Sequence, residues 1–128
     1  MACADCHNPH GTAGPKLLVR DSVTDTCYTC HMEKRGPFVR NHQPVQEDCT
    51  ICHNPHGTTT PNLLKSRPPF LCQQCHEPTG HQANAASLNS ARGFATNTVA
   101  RGCVNCHTNI HGSNNPMHDA VSGRAFRR

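Results

Sequence analysis

The sequence is poor in the residues that build a conventional hydrophobic core. It has no tryptophan, one tyrosine, and only 4% aromatic residues in a chain of 128. Leucine, isoleucine, valine and phenylalanine occupy 19 positions, about 15% of the chain and below the roughly 20% that autonomous hydrophobic collapse requires. The length suits one domain, but aliphatic packing alone is excluded as its main source of order.

Long apolar runs are also missing. No stretch of 18 consecutive apolar residues occurs, so the sequence predicts no transmembrane helix. The first residues show no basic segment, apolar stretch and cleavage site of the kind that directs export.

Cysteine and histidine are abundant where the aliphatic residues are scarce. The chain contains 10 cysteines and 11 histidines, together with 10 prolines and 9 glycines. Every cysteine belongs to a Cys-x-x-Cys pair, and a histidine follows each pair directly. The five motifs are Cys3, Cys6 and His7; Cys27, Cys30 and His31; Cys49, Cys52 and His53; Cys72, Cys75 and His76; and Cys103, Cys106 and His107.

This spacing is typical of covalent attachment of c-type haem. One helical turn places two cysteines three residues apart on the same side, where both can form thioethers with the haem vinyl groups. The next residue then faces the iron, and its imidazole is a suitable axial ligand. Zinc and disulfides are the alternatives. Zinc gives no reason for a histidine after every pair, and disulfides predict varied spacings.

Part of the sequence is duplicated. The segment CADCHNPHGTAGPKLL, which begins at Cys3, aligns with CTICHNPHGTTTPNLL at an offset of 46, and each copy ends in a second attachment motif. We call residues 3–31 copy A and residues 49–76 copy B. Copy C begins at Cys103 and carries one motif, with one extra residue between its histidines. We predict a single pentahaem domain over residues 1–128, with copy C as the fifth haem module over 103–128.

Six histidines lie outside the motifs, and five irons need at most five further ligands. We predict that the second axial ligands are His10, His42, His56, His81 and His111, with His118 as the spare histidine. Methionine is the competing ligand, with Met117 as its candidate. Low-spin haem with two histidines is expected at most or all of the sites.

The spacing within each loop limits which iron a histidine can reach. Ligands on opposite faces of one iron hold their Cα atoms roughly 12 to 13 Å apart, and three extended residues span only about 10 to 11 Å. His10, His56 and His111 are therefore expected to ligate a haem other than that of the adjacent motif. The predicted pairs are His10 with His31, His42 with His53, His56 with His76, His81 with His107, and His111 or His118 with His7.

The predicted fold is a multihaem cytochrome c, mostly coil with a few short α-helices, a core dominated by haem, and little or no β-sheet. Ser22 and Asp25 form a capping-box pattern before the second motif, and Pro44 suits the first turn of a helix before the third. The formal charge is +4, but five oxidised haems shift it to about −1, which removes the basis for nucleic-acid binding.

Three segments carry a resemblance to a known family. CHNPHGT followed by LL, RNHQPVQEDC before the third motif, and the final CVNCHTNIHGSN are similar to the carboxyl-terminal five-haem half of MtrA/PioA/DmsE-type decahaem cytochromes. The resemblance covers nearly the whole chain, which has five motifs where that family has ten. It implies a row of closely spaced haems that conducts electrons, often inside an outer-membrane porin, with redox partner cytochromes.

The predicted function is electron transfer through five haems, without enzymatic activity. A subunit of an extracellular cytochrome filament, which self-assembles into a chain, and a multihaem reductase with one open haem are the alternatives. Haem c is attached outside the cytoplasm, so the expected location is the periplasm, the outer membrane or the exterior. An export signal is expected to have been removed.

Overall fold

The fold contains little regular secondary structure. The structure is a computed structural model that describes residues 1–76 and 102–115. Over these ranges it has two short α-helices, α1 (Val23–Tyr28) and α2 (Gln43–Glu47), and no strand or sheet. Single turns of 3-10 helix cover Cys3–Asp5, Pro15–Leu17, Met32–Lys34, Cys49–Ile51, Pro61–Leu63, Cys72–Gln74 and Cys103–Asn105. The predicted fold class, mostly coil with a few short helices, is confirmed.

All five attachment motifs share one backbone turn. In each motif the amide of the histidine donates to the carbonyl of the first cysteine, at 2.8 to 3.0 Å. That bond spans four residues, as in an α-helix, and brings both cysteines and the histidine onto one turn. The predicted single turn at each motif is therefore confirmed.

The two α-helices begin at the residues that the sequence indicates. The Ser22 hydroxyl accepts from the Asp25 amide at 3.0 Å and donates to the Asp25 carboxylate at 2.6 Å, so it satisfies an amide that the first turn leaves without a partner. Pro44 lies in the first turn of α2, where a missing N–H has no cost. Helix α2 ends at Glu47 and Asp48 then caps the third motif by accepting from the Thr50 amide at 2.7 Å.

Copies A and B fold alike. The amides of Asn8 and Asn54 donate to the carbonyls of Leu17 and Leu63, at 2.9 and 2.8 Å. Isolated bridges then pair His7 with Leu18 and His53 with Leu64. The repeated PxLL segment thus returns to lie beside the attachment motif of its own copy.

The polypeptide buries few of its own apolar side chains. Over the described ranges, Leu18 and Tyr28 are the only buried hydrophobic residues. Ile51, Phe70 and Val104 keep 40% or more of their surface exposed, although each lies in an attachment motif or within two residues of one. A bound porphyrin would cover such surface. This agrees with a hydrophobic core that the cofactor, and not the polypeptide, supplies.

Copy C contacts the segment that precedes copy B. Arg40 and Ser113 form an isolated antiparallel bridge with two bonds of 2.9 Å. The Asn114 side chain accepts from the Val39 amide at 3.0 Å, and Ser113 is only 4% exposed. This contact joins residues that are more than 70 positions apart.

Across the part of the chain that is described, no helix is long and apolar enough to cross a membrane.

Candidate haem-binding sites

Three pairs of imidazoles face each other at nearly the same distance. The ring centres of His7 and His56 lie 6.0 Å apart, those of His42 and His76 6.0 Å, and those of His53 and His111 6.2 Å. The ring planes within each pair are inclined by only 19° to 29°. Each pair combines the histidine of an attachment motif with one from outside the motifs.

This geometry fits a metal between the rings. Two metal–nitrogen bonds of about 2 Å, with the distance from each nitrogen to its ring centre, place ring centres about 6 Å apart. Each pair also has two cysteines beside it at the attachment spacing. The donor set therefore fits haem c with an imidazole on either face. No cluster of three or more histidine, cysteine or acidic side chains suited to a bare metal ion occurs in the described ranges.

Backbone carbonyls orient two of the motif histidines. The His7 Nδ1 atom lies 2.9 Å from the Lys16 carbonyl, and the His53 Nδ1 atom lies 2.8 Å from the Asn62 carbonyl. With Nδ1 as the donor, Nε2 keeps its lone pair for a metal, and the bond makes the imidazole a stronger donor. His31 differs, because its Nδ1 lies 3.6 Å from the Glu33 carboxylate.

A left-handed backbone turn positions these carbonyls. Lys16 and Leu17 have φ values of 56° and 57°, and Asn62 and Leu63 have 58° and 56°. Such values are uncommon for residues other than glycine. The sequence shows the repeated PxLL segment but does not reveal that its backbone carbonyl orients the motif histidine. The recurrence of the segment in both copies is the one sequence feature that indicates a role for it.

Burial favours the neutral form of two of the outer histidines. Desolvation lowers the pKa of His111, and nearby Lys34 lowers it further. Desolvation also lowers the pKa of His42, although a hydrogen bond with the Ile110 backbone opposes the shift. A neutral imidazole is the form that binds a metal.

The structure corrects three predicted pairings. His42 lies beside His76 and not His53, His56 lies beside His7 and not His76, and His111 lies beside His53 and not His7. The predictions followed sequence order, whereas the bridge between Arg40 and Ser113 carries copy C back toward copy B. We expected that the histidine three or four residues after a motif would not face the histidine of that motif. The positions of His56 and His111 agree with this expectation.

Other predicted ligands are not paired in the described ranges. His10 and His31 do not contact each other's rings, and neither has an imidazole partner there. His81 and His118 lie outside the described residues, so the predicted pair of His81 with His107 stays a prediction.

Cysteines of consecutive motifs lie close together. Cys27 lies close enough to Cys49, and Cys72 to Cys103, for the second thiol of each pair to raise the pKa of the first. Burial, followed by the neighbouring thiol, raises the pKa of Cys27 and of Cys72 to about 11. Cys6 lies within electrostatic range of Cys27, and Cys75 within that of Cys52. All ten cysteines fall within the described ranges, and none forms a disulfide.

Five haem attachment motifs and facing imidazoles define a multihaem c-type cytochrome. The family of the doubled CXXCH motif matches residues 1–36 and 42–90, and the chain belongs to this family. Over its whole length it is 51% identical to the multihaem cytochrome MtrA of Shewanella baltica (strain OS185). It spans 38% of the length of that relative. Covalently bound haem c, with its iron, is thus the cofactor of these motifs.

Proposed function

We propose that this chain transfers single electrons along five haems that follow one another in the order of their motifs, most or all of them held between two histidines. When bound, haem c exchanges one electron between ferric and ferrous iron. The chain contributes the ligands, the spacing and the exclusion of substrates from the metal.

The observation that carries this proposal is the set of three facing imidazole pairs. Ring centres 6.0 to 6.2 Å apart leave room between the imidazoles for one metal and for no substrate. With both axial positions taken by protein, a substrate cannot reach the iron, and only electrons can pass. A reductase requires an open position with acid or base groups around it.

The proximity of cysteines from consecutive motifs supports the order in which electrons would pass from haem to haem. A thioether fixes the haem edge to its cysteine, so two cysteines that lie near each other would bring two haem edges near each other. Cys27 and Cys49 join the second motif to the third, and Cys72 and Cys103 join the fourth to the fifth. Cys6 with Cys27, and Cys52 with Cys75, support the two remaining steps at longer range. Electrons would therefore pass through the motifs in sequence order.

We further propose that residues 1–128 form one pentahaem domain in which copy C is the fifth module. The resemblance to MtrA-type cytochromes supports a location outside the cytoplasm, at the periplasm or outer membrane. Redox partner cytochromes and an outer-membrane porin are the proposed partners.

Haem counting and a turnover assay test the proposal together. Intact mass and pyridine haemochrome absorbance are expected to give five covalent haems per chain. Reductive titration should then take up five electrons, and the reduced protein should pass them to a cytochrome acceptor without reducing nitrite or sulfur oxyanions. Fewer than five haems, or steady turnover of such a substrate, would overturn the proposal.

A further inference from the structure

The two imidazoles that face copy B, His42 and His111, lie next to one backbone contact. His42 comes two residues after Arg40, and His111 comes two residues before Ser113. Arg40 and Ser113 form an antiparallel bridge in which each amide donates to the other carbonyl at 2.9 Å. Because the two chain segments run in opposite directions, both histidines lie at the same end of the bridge.

Side-chain contacts also hold these two segments together. The Asn114 side chain accepts from the Val39 amide at 3.0 Å. The Phe38 ring packs so closely on Gly112 that an added Cβ atom would overlap it. We call the two segments the copy C joint, residues 38–42 and 109–114.

The joint also brings the two outer imidazoles near each other. The His42 side chain forms a hydrogen bond with the backbone of Ile110, the residue before His111, and the two histidines lie within electrostatic range. The motifs that they face are neighbours as well, since Cys52 lies within electrostatic range of Cys75. One small contact therefore presents an imidazole to the third motif and another to the fourth.

The remaining facing pair is built differently. His7 faces His56, whose amide donates to the Asn54 side chain of its own loop at 3.2 Å. None of these three residues belongs to the joint. A disturbance of the joint should therefore reach the two haems of copy B and spare the haem of His7.

We propose that Asn114 is a positioning residue for both haems of copy B, because the joint that it closes presents His42 and His111 as one unit. The two haems then keep or lose their second ligands together. Docking of copy C thereby sets the spin state and the reduction potential of both haems. The inference rests on the proposed function, in which these two histidines are axial ligands.

The experiment measures ligand release in the haem-loaded 128-residue chain. Carbon monoxide binds a ferrous haem with two histidines only after one of them has left, so its binding rate reports how often the site opens. In Asn114→Ala, the loss of one hydrogen bond should speed carbon monoxide binding about fivefold, with the same factor at two haems. Asn114→Asp retains the acceptor oxygen and should restore the slow rate.

Ser22→Ala is the matched control for the lost hydrogen bond. It removes an acceptor from the Asp25 amide at the same distance of 3.0 Å, in a helix that contributes no residue to the joint. The binding rates at the two haems of copy B should not change in this variant. A general loss of stability would instead change them in both variants.

The double variant His42→Ala, His111→Ala identifies the haems concerned. Both haems of copy B lack their second ligand there, so the further substitution Asn114→Ala should change no binding rate. An additional acceleration in that background would show that Asn114 acts on other haems.

The inference is overturned by an unchanged rate in Asn114→Ala, by acceleration at one haem only, or by equal acceleration in Ser22→Ala. The haem count and electron uptake are measured on the same sample. A failure of the proposed function is therefore separately visible, as missing haem or as immediate carbon monoxide binding at both haems of the unsubstituted chain.

Discussion

Copies A and B share their backbone conformation over residues 3–18 and 49–64, but they differ in the imidazoles that face their motifs. Both hold their first motif histidine by a carbonyl from a left-handed turn, at 2.9 and 2.8 Å. Within the described ranges, copy B meets an imidazole for each of its motifs, His111 and His42, whereas copy A meets one only for its first motif, His56. A duplicated sequence thus reproduces local structure, while ligation depends on which copy lies next to it.

The largest effect is expected from removing a ligand between copies. His111→Ala should open the first haem of copy B, and His42→Ala should open its second, because each imidazole faces that motif histidine at about 6 Å. Loss of a nitrogen ligand converts a low-spin iron to high spin and raises its reduction potential. Carbon monoxide titration should show one additional site in each variant and two in the double variant. One additional site in the double variant would mean that the two histidines serve the same haem.

A smaller effect is expected from disturbing the contact of copy C. A Cβ atom added at Gly112, which has a φ of 146°, would overlap the Phe38 ring. Overpacking and backbone strain together should cost about 2 to 4 kcal/mol in Gly112→Ala.

Gly57→Ala is the matched control for this contact. Its φ is 115°, and nothing lies within 4 Å of the added atom, so backbone strain of about 1 to 2 kcal/mol is expected alone. Guanidinium unfolding followed by Soret absorbance measures both variants. Equal losses would show that the packing of Phe38 against copy C contributes nothing.

The carbonyl support of the motif histidines gives a further comparison. Asn62→Val places a β-branched residue at a φ of 58°, which should cost about 1 to 2 kcal/mol. It should also misplace the carbonyl that accepts from His53, so that the imidazole becomes a weaker donor and one haem potential rises. Asn62→Gly should retain both properties. Voltammetry checks the potential, and an unchanged potential in Asn62→Val would contradict this role of the carbonyl.

The smallest effect on stability is expected at α1. This helix lies in copy A and begins with a side-chain cap that has no counterpart in copy B. Ser22→Ala removes the acceptor for the Asp25 amide and should cost about 1 kcal/mol. Ser22→Asn should restore most of it. Guanidinium unfolding measures both variants, and equal stability of all three proteins would show that the cap is dispensable beside covalent attachment.

Much of the local structure followed from the sequence because its causes are local. The turn at each attachment motif, the cap at Ser22 and the proline of α2 involve residues within four positions of one another. The fold class followed from composition, since a chain with so few aliphatic residues needs another interior. The left-handed turns at Lys16 and Asn62 were missed, because lysine does not indicate a positive φ and asparagine, which favours one, stands at this position in copy B alone.

The ligand pairs could not be predicted in the same way. A histidine in a polar loop carries no signal of the iron that it faces, and sequence order suggested the wrong neighbour for His42, His56 and His111. The partner depends on contacts such as that between Arg40 and Ser113, which lie far apart in the chain.

The sequence by itself determined the cofactor, the number of attachment motifs and the shape of each attachment turn. These depend on covalent chemistry and on hydrogen bonds within a few residues. Only the tertiary structure decided which imidazoles face each other and which cysteines of neighbouring motifs meet. The physical reason is that axial ligation joins two sides of a flat cofactor, and the chain reaches the second side only by bringing distant segments together.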